Sequence, residues 1–196
     1  MAVLLRRATA ADIAPLNALI NDSVRQLAVG YYTPAQIESA MQHMFGVDSQ
    51  LVTDGTYFLI EVDGTLAACG GWSGRQTLFG GDQHKASESA ATPAQHHHGH
   101  HHHGGTDAPV DPATVPARIR AFFVHPHFAR RGLARQLYEH CAAEARAAGF
   151  LALELMGTLP GVPLYRTLGF ETVEAVPVLL PDGVVVPCER MRRALD

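Results

Sequence analysis

Apolar residues recur along this chain at two different periods, and the changes of period mark out its elements. Residues 3–7 (VLLRR) read as a short strand. Thr9 and Asp12 then stand at N-cap spacing before Ile13, Leu16, Leu19, Ile20, Val24 and Leu27. Those positions form one stripe of an amphipathic helix, which Gly30 ends. Pro34 opens a second helix, with Ile37, Met41, Met44 and Phe45 on one side. In TYFLIEVDGTLAACGGW two apolar runs flank Asp63-Gly64, a two-residue hairpin turn.

The pattern collapses over residues 75–117. That stretch holds a histidine run, QHHHGHHHHGG at 95–105, among Pro, Gly, Ser, Thr and Ala. A structureless loop of about 40 residues is unusual inside a compact domain. The stretch is therefore expected to be a flexible, low-complexity insertion. Order returns with the strand RIRAFFV at 118–124, which Pro126 stops. A helix from Arg131 carries Leu133, Leu137, Cys141 and Ala145 on one stripe and ends at Gly149. LALELM (151–156) is another strand, and PGVPLYRTLGF (160–170) holds a short helix with Gly169 as its C-cap. Strands at 172–180 and 184–191, joined at Asp182-Gly183, close the chain. The second half thus reads β-α-β-α-β-β. The whole predicts a mixed α/β fold of about seven strands and about four helices, interrupted by a His-rich loop.

Length and composition change this picture little. The chain has 196 residues, enough for one domain (1–196) with the insertion inside it. Apolar residues make up 47% and charged ones 17%, a globular balance. A formal charge of −4 supplies neither a basic field for nucleic acid nor a polybasic membrane anchor. Cys69, Cys141 and Cys188 form no CxxC pair and imply buried, reduced thiols. The apolar run in MAVLLRRATAAD is too short for a signal peptide, and no stretch approaches the roughly 18 apolar residues of a membrane span. The expectation is a cytoplasmic protein.

The chemistry concentrates in FFVHPHFARRGLARQLYEHC (122–141), where a strand, a short loop and a helix follow one another. A helix N-terminus presents unpaired N–H groups and partial positive charge, which suits a pyrophosphate. Gly132 lets backbone approach a ligand closely and Ala134 has a minimal side chain. Arg130, Arg131 and Arg135 add positive charge. On spacing alone, a basic helix start on a solvated surface fits equally well.

In these residues the chain resembles the GNAT acyltransferase superfamily. Members carry a strand ending V-x-P, a Q/R-x-x-G-x-G/A loop and a helix, then a Tyr followed by x-x-x-G-F/Y. Here Val124-His125-Pro126, ARRGLA (129–134) and YRTLGF (165–170) occupy those places, with Ala129 standing at the Q/R position. The resemblance implies the GNAT acyl-CoA N-acyltransferase fold and acetyl-CoA as cosubstrate, with no metal required. It implies pyrophosphate on the amides of Arg130, Gly132, Ala134 and Arg135, with Arg131 and Leu133 in the same turn. Pantetheine would run along the open edge of Phe122, Phe123 and Val124, and the N–H near Val124 would polarise the thioester carbonyl.

The function implied is transfer of an acetyl group to a primary amine by direct attack, with Tyr165 as general acid toward the leaving thiolate. A phenol with a pKa near 10 is protonated at pH 7 and suits that task. The general base is not evident. Some relatives place an acid on the strand before the loop, where this chain has Arg118 and Arg120. Glu154 is the weak candidate and His125 a second one. Trp72 either lines the acceptor pocket or packs in the core, and Cys141 sits at a core spacing that disfavours an acyl-cysteine route. A CoA-binding module without turnover and a metal-binding protein built on the His run are the alternatives. Partners expected are acetyl-CoA and an amine, not nucleic acid or membrane, and the resemblance also allows a homodimer. Deleting residues 94–105 is expected to leave CoA binding and turnover intact.

Overall fold

The computed structural model describes residues 1–91 and 107–196. The histidine run at 95–105 lies outside the described residues. Strand β1 (Val3–Arg7) leads through a one-turn 3-10 segment into α1 (Ile13–Leu27). Thr9 and Asp12 form the expected reciprocal cap, the Thr9 amide donating to the Asp12 carboxylate at 2.8 Å. Helices α2 (Pro34–His43) and α3 (Ser49–Asp54) follow, then the hairpin β2 (Tyr57–Val62) and β3 (Thr65–Ser73). After α4 (Asp82–Ala91) come β4 (Ala117–Val124), α5 (Leu133–Ala147), β5 (Ala152–Thr158), α6 (Val162–Thr167), β6 (Glu171–Leu179) and β7 (Val185–Ala194).

All seven strands join one sheet in the order β1-β2-β3-β4-β5-β7-β6. Both faces are covered, which is why β2 and β3 read as nearly continuous apolar runs. Successive residues of β2 point to opposite faces. Phe58 and Ile60 join the core beneath α5, where Leu133, Leu137, Cys141 and Ala145 are buried. Tyr57 and Leu59 join the core beneath α1 and α2, with Leu16, Leu19, Ile20, Val24, Ile37 and Ala40. The helical stripes read from the sequence are therefore the faces that the sheet covers.

The functional geometry begins with one irregularity. Every strand pair is antiparallel except β4 and β5. These two run parallel and pair only at Ala117 with Leu153 and Arg118 with Glu154, then part. β4 meanwhile stays paired with β3 as far as Val124, across a bulge between Cys69 and Gly71. At that bulge Ala121 adopts a φ of 53°, a left-handed conformation costly for a residue with a Cβ. The buried Tyr57 hydroxyl donates to the Ala121 carbonyl at 2.9 Å and holds it there. The Phe122 ring lies over Gly70, where a Cβ would sit 2.3 Å from Phe122 Cδ1. Only glycine admits that ring.

Six α-helices occur among the described residues where about four were expected. The unexpected pair are α3 and α4. Helix α4 lies inside the 75–117 stretch that had read as lacking any period. Its apolar residues show no stripe because polar contacts anchor its start. The Asp82 carboxylate accepts from the Ser49 amide (3.1 Å) and hydroxyl (3.0 Å), and Lys85 pairs with Asp48 at 3.0 Å. No helix among the described residues is long and apolar enough to cross a membrane.

Candidate active site

The turn before α5 is built from two left-handed residues, Arg130 (φ 63°) and Gly132 (φ 77°), on either side of Arg131. The first backbone bond returning to this turn runs from the Gln136 N–H to the Gly132 carbonyl at 3.1 Å. Among the described residues, the amides of Arg130 through Arg135 find no backbone acceptor. Leu133 and Ala134 bury their side chains against the core, fixing the turn from below. Arg130, Arg131 and Arg135 are exposed, and the Arg131 guanidinium lies 5.3 Å from the centre of the Phe128 ring. Such a concentration of unpaired N–H groups at a helix start is an arrangement that suits an anion. A Cβ on Gly132 would meet nothing within 4 Å, so Gly132→Ala adds no clash. It is expected to cost about 1 kcal/mol through the left-handed φ. It would also place a methyl group in front of the amides, raising the acetyl-CoA Kd about fivefold in calorimetric titration, against an N-terminal anion site worth ~1 kcal/mol.

Beyond Arg118, β4 has lost β5 as a neighbour, so one edge of Phe122, Phe123 and Val124 has no strand partner among the described residues. The His125 N–H donates to the Ala67 carbonyl of β3 at 2.8 Å. By the alternation of a β-ladder, the Val124 N–H points the other way, into the gap. A small cavity, partly open to solvent, occupies this gap. β4 contributes Ile119, Arg120, Ala121, Phe122 and Phe123, and β5 contributes Met156 and Thr158. Tyr165 comes from α6, Met44, Phe45 and Gly46 from the turn after α2, and residues 78–81 from the loop before α4. The cavity is lined from both faces of the sheet. Phe122 and Tyr165 pack with the core on the α5 side, whereas Phe123, Met156 and Phe79 pack with the core on the α1/α2 side.

Tyr165 is half-buried, its ring edge-on to Phe170 at 6.0 Å. Its hydroxyl makes no hydrogen bond among the described residues, and burial raises its pKa above the ordinary phenol value. The phenol is thus held protonated at neutral pH and lines the gap.

The other expected site residues lie elsewhere. Glu154 is buried in the paired first part of β5. Its carboxylate stands 2.7 Å from Arg190 and 3.6 Å from Arg118, committed to two arginines and away from the cavity. Trp72 donates from Nε1 to Glu144 at 2.9 Å and packs edge-on against Phe150, so it belongs to the core and not to the cavity wall. His125 stacks on His127 at 5.2 Å and faces Asp22 at 3.8 Å, also away from the cavity. Cys141 is buried, and burial raises its thiol pKa, as burial pushes Cys69 up to about 12. Among the described residues, no group of three or more His, Cys, Asp or Glu is placed to hold a metal ion.

Sequence reasoning missed the role of Arg120 and missed Asp48 altogether. Arg120 Nη2 stands 2.6 Å from the Asp48 carboxylate, with both side chains 1% exposed. The guanidinium also donates to the carbonyls of Thr77 (3.0 Å) and Gly80. Asp48 caps α3 by accepting from the Gln50 amide at 3.0 Å. This buried pair therefore fastens the 77–81 loop that walls the cavity. The available signal was local: Asp48 before Ser49-Gln50 is an N-cap pattern.

A parallel strand pair that parts in front of a helix N-terminus, with a phenol facing the gap, suits a long cosubstrate bearing a pyrophosphate. The acetyltransferase (GNAT) family matches residues 21–170, and the chain belongs to that family. No curated protein matches it. Among solved structures it is similar to a GCN5-related N-acetyltransferase from Rhodopseudomonas palustris, at 15% identity and TM-score 0.67, covering 100% of this chain and 97% of that one. It is also similar to the PaiA N-acetyltransferase from Thermoplasma acidophilum in complex with coenzyme A (13%, TM-score 0.61, 99% of each chain). A third is YncA, a putative acetyltransferase from Salmonella typhimurium with acetyl-CoA (16%, TM-score 0.58, 100% and 95%). At these identities the likeness establishes the fold.

Proposed function

We propose that the protein is an acyl-CoA-dependent N-acyltransferase that moves an acetyl group from acetyl-CoA to a primary amine by direct attack. The observation that carries this reading is the cavity between β4 and β5. Its lining brings the open β4 edge and Tyr165, packed with the core on the α5 side, together with residues packed on the α1/α2 side. Two substrates can then meet from opposite faces without displacing one another. Acetyl-CoA supplies the activated acyl group.

This chain's residues fit that cosubstrate. The unpaired amides of Arg130 to Arg135 would hold the pyrophosphate. Arg130 and Arg131 would supply the charge that Ala129 does not. The free edge of Phe122 to Val124 would pair with the pantetheine amides, and the Val124 N–H would polarise the carbonyl oxygen. The amine nitrogen bonds to the carbonyl carbon as the C–S bond breaks. Tyr165 gives its proton to the departing sulfur and regains one shed by the amine, so the products are an amide and a free thiol. The buried thiols of Cys69 and Cys141 take no part.

Two measurements test the reading. Acetyl-CoA at 100 times its Kd is expected to stabilise the fold by about 2.7 kcal/mol, raising Tm by roughly 5–11 °C. Thiol release that depends on added amine is expected alongside. A Tm indifferent to acetyl-CoA would exclude the site, and a raised Tm without thiol release from any amine would leave binding without catalysis.

A further inference from the structure

The cavity also carries information about the amine. Resting on the acyltransferase reading, we infer that the acceptor is a small hydrophobic amine, aromatic or branched aliphatic, with neither a carboxylate nor a second positive charge. Part of the lining is a cup of Met44, Phe45, Leu78, Phe79, Phe123 and Met156. Phe45 and Phe123 meet edge to face at 5.9 Å, giving the cup one stiff aromatic corner. The two methionines give it adaptable walls. Polar hydroxyls line the cavity where β5 and α6 meet, at Thr158 and Tyr165.

Charge decides the class. Arg120 is the only charged residue lining the cavity among the described residues. Its side chain is 1% exposed, paired with Asp48 and committed to the Thr77 and Gly80 carbonyls. It has no free fork for a substrate carboxylate. Among the described residues no carboxylate lines the cup to receive a second ammonium, as a polyamine would require. An ion placed there would lose its water and gain no partner. An apolar body, by contrast, fills the cup.

The same surroundings bear on the base that the sequence did not reveal. Desolvation disfavours an ammonium ion. An amine drawn into this cup therefore has its pKa lowered, which favours the neutral form with its lone pair free. The cup does part of what a general base would do, and Glu154 is not needed for it.

The test uses the full chain with acetyl-CoA and reads thiol release for matched acceptors. Phenethylamine is set against phenylalanine, and isoamylamine against leucine and putrescine. kcat/KM is expected to favour each uncharged-body amine by about 100-fold or more. In Phe79→Asp, phenethylamine is expected to lose that advantage and putrescine to gain, with the acetyl-CoA-induced rise in Tm retained as proof of folding. A preference for phenylalanine, leucine or putrescine in the unaltered protein would overturn the inference and leave the acyltransferase reading standing. So would octanoyl-CoA outpacing acetyl-CoA with no amine preference, since the cup would then hold the acyl chain. An unchanged preference in folded Phe79→Asp would overturn the assignment of the cup. Absence of thiol release with every amine, despite a Tm shift, would remove the reading and the inference together.

Discussion

Tyr165→Phe is expected to lower kcat by about 10²–10³-fold, the range for removing a positioned general acid. The acetyl-CoA Kd should hold. Tyr165 faces the cavity from α6, whereas the anion site lies at the start of α5 on another part of the chain. The ring itself packs against Phe170, and phenylalanine keeps that contact. Loss of the hydroxyl strands no partner, because none is hydrogen-bonded to it among the described residues. The pH dependence follows from burial, which raises the folded pKa above the ordinary value near 10. Tyr165's contribution to stability is therefore full below about pH 10 and is lost as pH rises through the higher folded value. Between pH 6 and 9 it stays protonated, so a rising limb of kcat/KM in that window belongs to the amine. Stopped thiol-release assays across this range check both points. A variant as fast as the parent at every pH would remove Tyr165 from the mechanism.

The legible parts of this molecule are those where local chemistry and tertiary packing agree. The α1 and α5 stripes, the Asp63-Gly64 turn and the β-α-β-α-β-β second half all appear where periodicity placed them. The turn proposed to hold the pyrophosphate was legible because its elements are contiguous: a strand, a glycine in left-handed conformation and a helix start within 122–141. Tyr165, assigned by resemblance, lines the same cavity as Phe122. What escaped was assembled from afar. Helix α4 has no apolar stripe, because Ser49 and Asp48 hold it through polar contacts more than thirty positions away. Glu154 and Trp72 looked available in one dimension. Pairing with Arg190 and Arg118, and with Glu144, shows that their polar atoms were already occupied. The proposed acceptor cup draws on the α2–α3 turn, the loop before α4, and strands β4 and β5, and no window of sequence contains them together.

The buried pair beneath that cup yields the largest expected effect on stability. Asp48→Ala leaves the Arg120 guanidinium, 1% exposed, without its counter-ion. Removing one partner of a buried pair costs about 3–5 kcal/mol, because the remaining charge has lost its water and gained nothing. For a chain of this size that corresponds to a fall in Tm of roughly 6–20 °C. The Lys85 contact to Asp48 adds little, since its ammonium is 34% exposed and screened by water. The alanine also removes the α3 cap, a further ~1 kcal/mol. Replacing both charges at once, Asp48→Asn with Arg120→Met, removes the buried ions together and keeps a capping side chain at 48. This double variant is expected to recover much of the Tm lost by Asp48→Ala. It would not recover the loop, because methionine cannot donate to the Thr77 and Gly80 carbonyls. With residues 77–81 released, one wall of the cup loosens while the amides before α5 stay in place. The amine KM should then rise, with the acetyl-CoA Kd near that of the parent. Calorimetry on the single and double variants, with KM and Kd on the double one, separates the two roles. Equal KM values in parent and double variant would show that the pair holds the fold alone and leaves the shape of the acceptor site to other residues.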